Sequence, residues 1–537
     1  MAFPAVDATS PGITLAEPDV DQSDLRHQLQ QHSGFAAPAG GGWTFVPQVS
    51  LQEIFNDNVL NTTDDRRWDF ITVLTPGFTL QGDLPNAQVQ FSYGPALQGY
   101  ARTPSQNQIT QQLLGTALFT LMPEELFLDV RAAAGGAPVG GGFGALQPGL
   151  TPSLGPQFNG VGTTGLSKQN QVQTSSLSIS PYWLHRFGDT GTAKIGYQLN
   201  QSSYSQGNTF IPLLFPTGHD TVHNLTNEGV AQFETGDRFA PFRNLTTLNA
   251  STSNGNGGTG SSTQYLMLNR LGYLVDRGLM VFGELGYESL SFGGLPPTRI
   301  NDAVWGVGVT LTPNPDSQIT IGYGHRYGEN NVQLNGSYAL TARTRISASY
   351  VTGLQTDLQG LAGQLDLAAL DSTGRAIDSQ TGAPLFIGTG GVGVQTGLFR
   401  VKSFTFSAST IWDRDQVSLS LQFSDQKTIA TAPPGTFIPL GFPAPTVGSS
   451  SQSTTGFVSW LHQISDDLTM SSSASYSTGN FSTSGNQQSL SASVGMQYLI
   501  SQTVAVNVSY SFFDRISSTP GFSFYQNLVM LGISKQF

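Results

Sequence analysis

From about residue 42 onward, apolar residues recur at every second position, segment after segment. Successive side chains of an extended chain point to opposite sides, so a period of two predicts strands with one oily face. "WTFVPQVSL" carries Trp43, Phe45, Val49 and Leu51 on that face, and "AQVQFSY" carries Ala87, Val89, Phe91 and Tyr93. "AKIGYQL" repeats the pattern with Ala193, Ile195, Tyr197 and Leu199, and "VAVNVSYSF" with Val504, Val506, Val508 and Tyr510. The chain closes on "YQNLVMLGISKQF", where Tyr525, Val529, Leu531, Ile533 and Phe537 alternate with residues such as Gln526, Gly532 and Ser534. About 22 such segments of roughly 9 to 14 residues can be counted, a length that suits tilted strands crossing a hydrocarbon layer.

The connections fall into two alternating classes. "QGDLPN", "LMPEE", "FGDTG", "TGDR", "VDRG", "PNPDS", "TART", "DRDQ", "ISDD" and "ISQ" are tight and rich in turn formers. Those between them are longer, the largest covering residues 134–171, 205–221, 355–399 and 427–453. A membrane barrel gathers short periplasmic turns at one rim and long extracellular loops at the other, whereas a soluble sandwich has no reason to sort its loops. An unpaired strand edge cannot stand in hydrocarbon, so the sheet must close. The expected fold is therefore all-β: a single large closed antiparallel transmembrane β-barrel over residues 42–537, of about 22 strands within a range of about 16–24. Residues 1–41 are expected to be a periplasmic extension, mostly disordered or a short helix in "DVDQSDLRHQLQQHS".

Composition narrows the function. Only 11% of residues are charged, yet aromatics reach 10% and recur along the whole length, which excludes global disorder. The formal charge of −12, with no basic cluster, argues against a nucleic-acid partner. There is no cysteine, hence neither a disulfide framework nor a thiolate metal site. No apolar run reaches the ~18 residues of a transmembrane helix, so a membrane crossing would be made by strands. The oily face would then meet the lipid bilayer and the Ser, Thr, Gln and Gly face a wet lumen. Trp43, Trp183, Trp412 and Trp460 fall near short-turn ends and Trp68 near a long-loop end. With Phe537 they are expected to form belts at the membrane interfaces.

Four stretches carry a family resemblance: "SLQEIFNDNV", "LTPGFTLQG", "DSTGRAIDSQTGAP" and the end "FYQNLVMLGISKQF". On them the chain resembles outer-membrane β-barrel proteins of the β-barrel porin type, including those associated with exosortase and exopolysaccharide gene clusters. The resemblance implies an integral barrel in the outer membrane of a Gram-negative bacterium and, as one function, export of an exopolysaccharide. The terminal strand ending in Phe537 looks like the signal read by the barrel-assembly machinery, although Lys535 stands where many such signals are apolar. "MAFPAVDATSPG" shows no basic or apolar secretory region, and Val6-Asp7-Ala8 fits the tail of a cleavage site, so a start upstream of Met1 is expected, the alternatives being a truncated or processed chain and one that stays in the cytoplasm.

Candidate chemistry is sparse. His219 and His223 in "HDTVH" have metal-ligand spacing but no helix beneath them, and "GTGGVG" at 388–393 lacks a βαβ unit, so neither metal nor cofactor is expected. His185 and His462 fall near short turns and read as rim residues rather than the base of a lipase-like triad; no enzyme is expected. Opposite the apolar face lie Asp129, Arg131, Lys194, Glu228, Glu234, Arg270, Glu284, Arg326 and Arg345. As pore-lining residues they would either set a transverse field that selects solutes or pair with one another. "DLQGLAGQLDLAAL", Asp357 to Leu370, is helix-compatible and lies in a loop long enough either to fold into the pore or to lie over its rim. These readings converge on a loop-constricted porin-like channel for passive passage of polar solutes. The alternatives are polysaccharide export and a surface adhesin with a closed lumen.

Overall fold

In a computed structural model of the protein, the described residues are 42–138, 168, 171–205, 221–370, 376–378, 396–433, 445–482 and 485–537. The N-terminal extension, His219 and the glycine run 388–393 lie outside them. The first strands are β1 (Trp43–Asn56), β2 (Asp69–Leu84), β3 (Ala87–Tyr93 continued by Ala96–Tyr100), β4 (Gln108–Thr110 continued by Leu113–Met122) and β5 (Leu126–Pro138). Next come β6 (Gln171–Arg186), β7 (Gly191–Ser205), β8 (Thr221–Thr235), β9 (Phe242–Gly255), β10 (Ser261–Asp276) and β11 (Leu279–Phe292). They are followed by β12 (Thr298–Asn314), β13 (Ser317–Arg326), β14 (Glu329–Thr341), β15 (Thr344–Gln355), helix α1 (Asp357–Leu367) and β16 (Gly397–Ile411). The last are β17 (Asp415–Thr431), β18 (Ser450–Gln463), β19 (Leu468–Phe481), β20 (Gly485–Ser501), β21 (Val504–Ser517) and β22 (Phe524–Gln536).

Each strand pairs antiparallel with the next, and β22 pairs with β1 from Gln48↔Gln536 to Asn56↔Leu528, closing a 22-strand barrel. The break in β3 falls at Gly94-Pro95, where proline has no N–H to give the ladder. Every tight connection read from the sequence joins strands at one rim, and the long ones join them at the other.

Alternation sorts the side chains as the period-two pattern requires. Leu285, Val307 and Leu531 point outward with 72%, 58% and 58% of their surface bare, beside neighbours such as Glu284 and Gly532 that are buried on the inner face. A water-soluble protein does not leave a continuous band of such residues uncovered. Aromatic ladders run across this outer face, including Phe45, Phe78 and Phe91 with ring centroids 5.3 and 5.7 Å apart.

The seam between first and last strands is held by more than its ladder. The loop after β1 folds across it: Asn527 donates its backbone N–H and its amide Nδ2 to the two oxygens of Asp57, at 2.8 and 2.7 Å. Arg66 reaches the same carboxylate at 2.5 Å and lies 3.8 Å over the Tyr525 ring. Asn58 Nδ2 donates to the Tyr525 carbonyl at 3.0 Å.

Candidate pore and its extracellular constriction

Of the nine charges expected on the inner face, most are partnered. Arg131 Nε donates to both oxygens of Asp129 at 3.1 and 3.2 Å, with Nη2 at 2.9 Å, two residues apart on β5. Arg270 and Glu284 face each other directly across β10 and β11, bonded at 2.6 Å, with the guanidinium 4.5 Å from the Phe282 ring. Glu228 accepts from the Asn249 amide on β9. Lys194 lies 5.2 Å over the Tyr182 ring, and Glu234 sits on the same wall on β8; both are engaged by neighbours. Arg326 pairs not with another predicted residue but with Glu288 of β11, at 3.8 Å.

Arg345 is the exception. It stands opposite Ala339 and Ser409, and among the described residues its guanidinium has no carboxylate within salt-bridge distance.

The sequence reading missed Glu288, Arg515 and a cluster at the tip of the β13–β14 hairpin. There Arg400 reaches Glu329 at 2.5 Å, Lys402 reaches it at 3.1 Å, and Arg400 also donates to the Tyr327 carbonyl at 3.0 Å. Glu288 takes the Tyr327 N–H at 2.5 Å, so this short hairpin is gripped from β11 on one side and β16 on the other. Arg515 is buried on β21 and donates to Gln487 at 2.8 Å.

The extracellular mouth is bridged. Thr356 and Gln359 form a reciprocal cap, each backbone N–H donating to the other's side chain at 3.0 and 3.3 Å, which fixes the start of α1. Leu358, Leu361, Ala362 and Leu365, spaced as one helical face, are all buried. The helix leaves β15 and packs on β5, β6, β7 and β8, which lie on the far side of the ring. Gln359 Nε2 donates to Ser262 Oγ on β10 at 3.4 Å. The β11–β12 loop crosses as well, with Leu295 and Thr431 of β17 exchanging both backbone bonds at 3.0 Å. Leu290, Phe292, Tyr327, Leu354, Leu398 and Ala430 form an apolar cluster at this end.

The aromatics expected at the interfaces lie near strand ends. Trp43, Trp183, Trp412, Trp460 and Phe537 lie at the short-turn end, and Trp68 lies at the other under the Arg102 guanidinium at 3.9 Å. Phe537 is two-thirds exposed, with the Lys535 ammonium 4.8 Å from its ring. Trp305 sits mid-strand on the outer face. His185 bonds Glu125 at 3.0 Å, and His462 bonds Asp415 at 2.9 Å, both at the short-turn rim.

The register of the last strands adds an inner surface of one kind of chemistry. Arg345 is followed across the ladder by Ser409, Ser418, Ser459, Ser473, Ser493 and Ser511, one residue per strand from β15 to β21. Residues 396–537, which build β16 to β22, match the family described as "Putative beta-barrel porin 2". No curated protein matches the chain significantly. Among solved structures, the chain is similar to the FrpB iron transporter from Neisseria meningitidis (F5-1 variant), at 10% identity over 95% of this chain and 84% of that one, TM-score 0.47. It is similar to the ferric-catecholate import receptor Fiu from E. coli K12 in its open form, at 11% identity over 91% and 81%, TM-score 0.46. The siderophore receptor PiuA from Acinetobacter baumannii gives 9% identity over 93% and 82%, TM-score 0.46.

Proposed function

We propose that the chain is an outer-membrane, porin-like channel through which polar solutes pass passively, and that α1 and the loops bonded to it narrow the extracellular mouth. The observation that carries this reading is a closed ring with a polar inner face whose mouth is crossed by a capped, buried helix. A lumen of 22 strands is wider than that of the 16- to 18-strand porins, so an inserted loop is what would set the passage. Most inner charges neutralise one another, which favours uncharged polar solutes over ions. Lipid covers the outer face, and the interface aromatics set its depth.

Reconstitution into planar bilayers tests the reading. Steady ohmic conductance is expected, rising when residues 357–395 are deleted. Equal conductance of both proteins would remove α1 as the constriction, and no conductance from either would overturn the channel. That last outcome would favour a second reading, a surface barrel with a shut lumen, for which the Leu295–Thr431 bridge speaks. Liposome swelling with sugars of rising size would separate a small-solute pore from a polymer exporter.

A further inference from the structure

Strands β14 and β15 share a ladder over only part of their length. It climbs from the short turn between them as far as Leu334↔Tyr350, yet β14 extends on to Glu329 and β15 to Gln355. Residues 329–333 and 351–355, which a continued register would pair, diverge instead. Tyr350 stands six residues above Thr344, which is about 14 Å up the wall at ~3.3 Å per residue and a tilt of ~45°, while the apolar band of such a barrel is ~25 Å tall. The divergence thus falls in the half of the band nearer the extracellular side. Its cause lies in the chain: β15 runs through Thr356 into α1, which packs across the mouth on β5 to β8 and draws the end of β15, with β16 still paired to it, away from β14.

An unpaired edge is not tolerated in hydrocarbon, so this slot in the wall has to be filled. Side chains fill it here. Tyr327, at the tip of the β13–β14 hairpin, is buried in one cluster with Leu354 and Leu398. Glu329 holds Arg400 at 2.5 Å and Lys402 at 3.1 Å, both from β16, the strand beyond β15. Lys427 of β17 stands directly opposite Arg400 in register, two cations on one face where like charges weaken the pairing. Asp425, opposite Lys402, accepts from Ser450 and Gln452. Three cations thus meet two carboxylates, and the surplus is positive. On the lipid side of the slot lie Val332, 46% exposed, and Leu334 and Tyr350, which share a face with the bare Ile321 and Tyr323.

We infer that the slot is a lateral binding site, entered from the outer leaflet, for an amphiphile with one acyl chain and an anionic head. The head takes the place of Glu329 between Arg400 and Lys402, with Lys427 at hand, and the chain lies along the diverged edge against Val332, Leu334 and Tyr350. A neutral head gains nothing from the surplus cations, and a wholly polar solute gains nothing from the apolar edge. The inference rests on lipid covering the outer face, and not on passage through the lumen.

Two measurements on the full chain in liposomes test it. The chain has no cysteine, so an introduced pair reports alone. N335C/S349C, inside the ladder, should oxidise readily, whereas V332C/T352C, which a continued register would oppose, should not, because a disulfide needs Cα atoms within about 7 Å. Equal oxidation would mean a closed wall and would overturn the slot. Hexadecyl sulfate carrying a photoreactive diazirine in its tail should label residues 329–334 and 350–355 above the rest of the outer wall, about tenfold more than hexadecanol with the same tail, the worth of a hydrogen bond to a charged group. K402Q should cut that labelling, and E329Q, which frees the cationic pair, should raise it, both with heat-modifiable migration retained. Labelling spread evenly around the ring, or equal for sulfate and alcohol, would overturn the site. Absence of ionic current would sink the channel reading and leave this site standing.

Discussion

Arg270 and Glu284 occupy directly opposed positions on β10 and β11, both nearly inaccessible, which makes the pair costly to break from one side. Arg270→Met leaves a buried carboxylate without its partner and should destabilise the folded barrel by about 3–5 kcal/mol, whereas R270M/E284L should recover most of that loss. Urea unfolding in detergent or bilayers reads both. Arg345 differs because no carboxylate neutralises it, and it heads the serine row near the short-turn rim. Arg345→Glu should shift the reversal potential in a salt gradient toward cations, while Arg131→Gln, which acts on a closed pair, should move it less. Partners on adjacent strands follow from register, so Arg270 with Glu284 was within reach of the sequence. Arg326 with Glu288 and Arg400 with Glu329 each skip an intervening strand, and that geometry depends on how the hairpin tip folds, which no alternation rule encodes. Arg515 was hidden for another reason: in "FFDRIS" apolar residues occupy both parities, so the segment does not declare its inner face.

The strands were legible because lipid imposes a period of two on one face and a wet lumen imposes small polar residues on the other. Leu285 tests the lipid side. It lies mid-strand on β11 with its side chain bare, and Leu285→Arg should destabilise by about 2–4 kcal/mol, the cost of a guanidinium near the bilayer midplane, whereas the same change at Phe537 should cost far less. The measurement is again reversible unfolding in bilayers. Helix α1 was legible only as the helix-compatible stretch "DLQGLAGQLDLAAL"; the cap that Thr356 and Gln359 give it went unread. Its landing place was not legible, because β5 to β8 come near it only after the ring has closed. Thr356→Ala removes one half of the cap and should weaken the helix start by about 0.5–2 kcal/mol. In single-channel records this should appear as more frequent excursions to a higher conductance level.

The ring as a whole predicts a gel phenotype: unheated protein in detergent should migrate ahead of heated protein, because a closed sheet has no edge from which to unravel. Asp57→Ala should lower the temperature at which the slow form appears, since Asn527 and Arg66 both lose their acceptor. A shift no larger than that of a remote loop substitution would deny the contact its importance. Pairing of β22 with β1 closes the ring and so fixes the architecture. The grip of Asp57 on Asn527 joins residues 470 positions apart in the chain. A contact of that span is the last to become available during biogenesis, once every hairpin has been laid down. It can therefore serve as a completeness check: a chain missing its tail offers Asp57 nothing to hold and leaves the ring open at one flank.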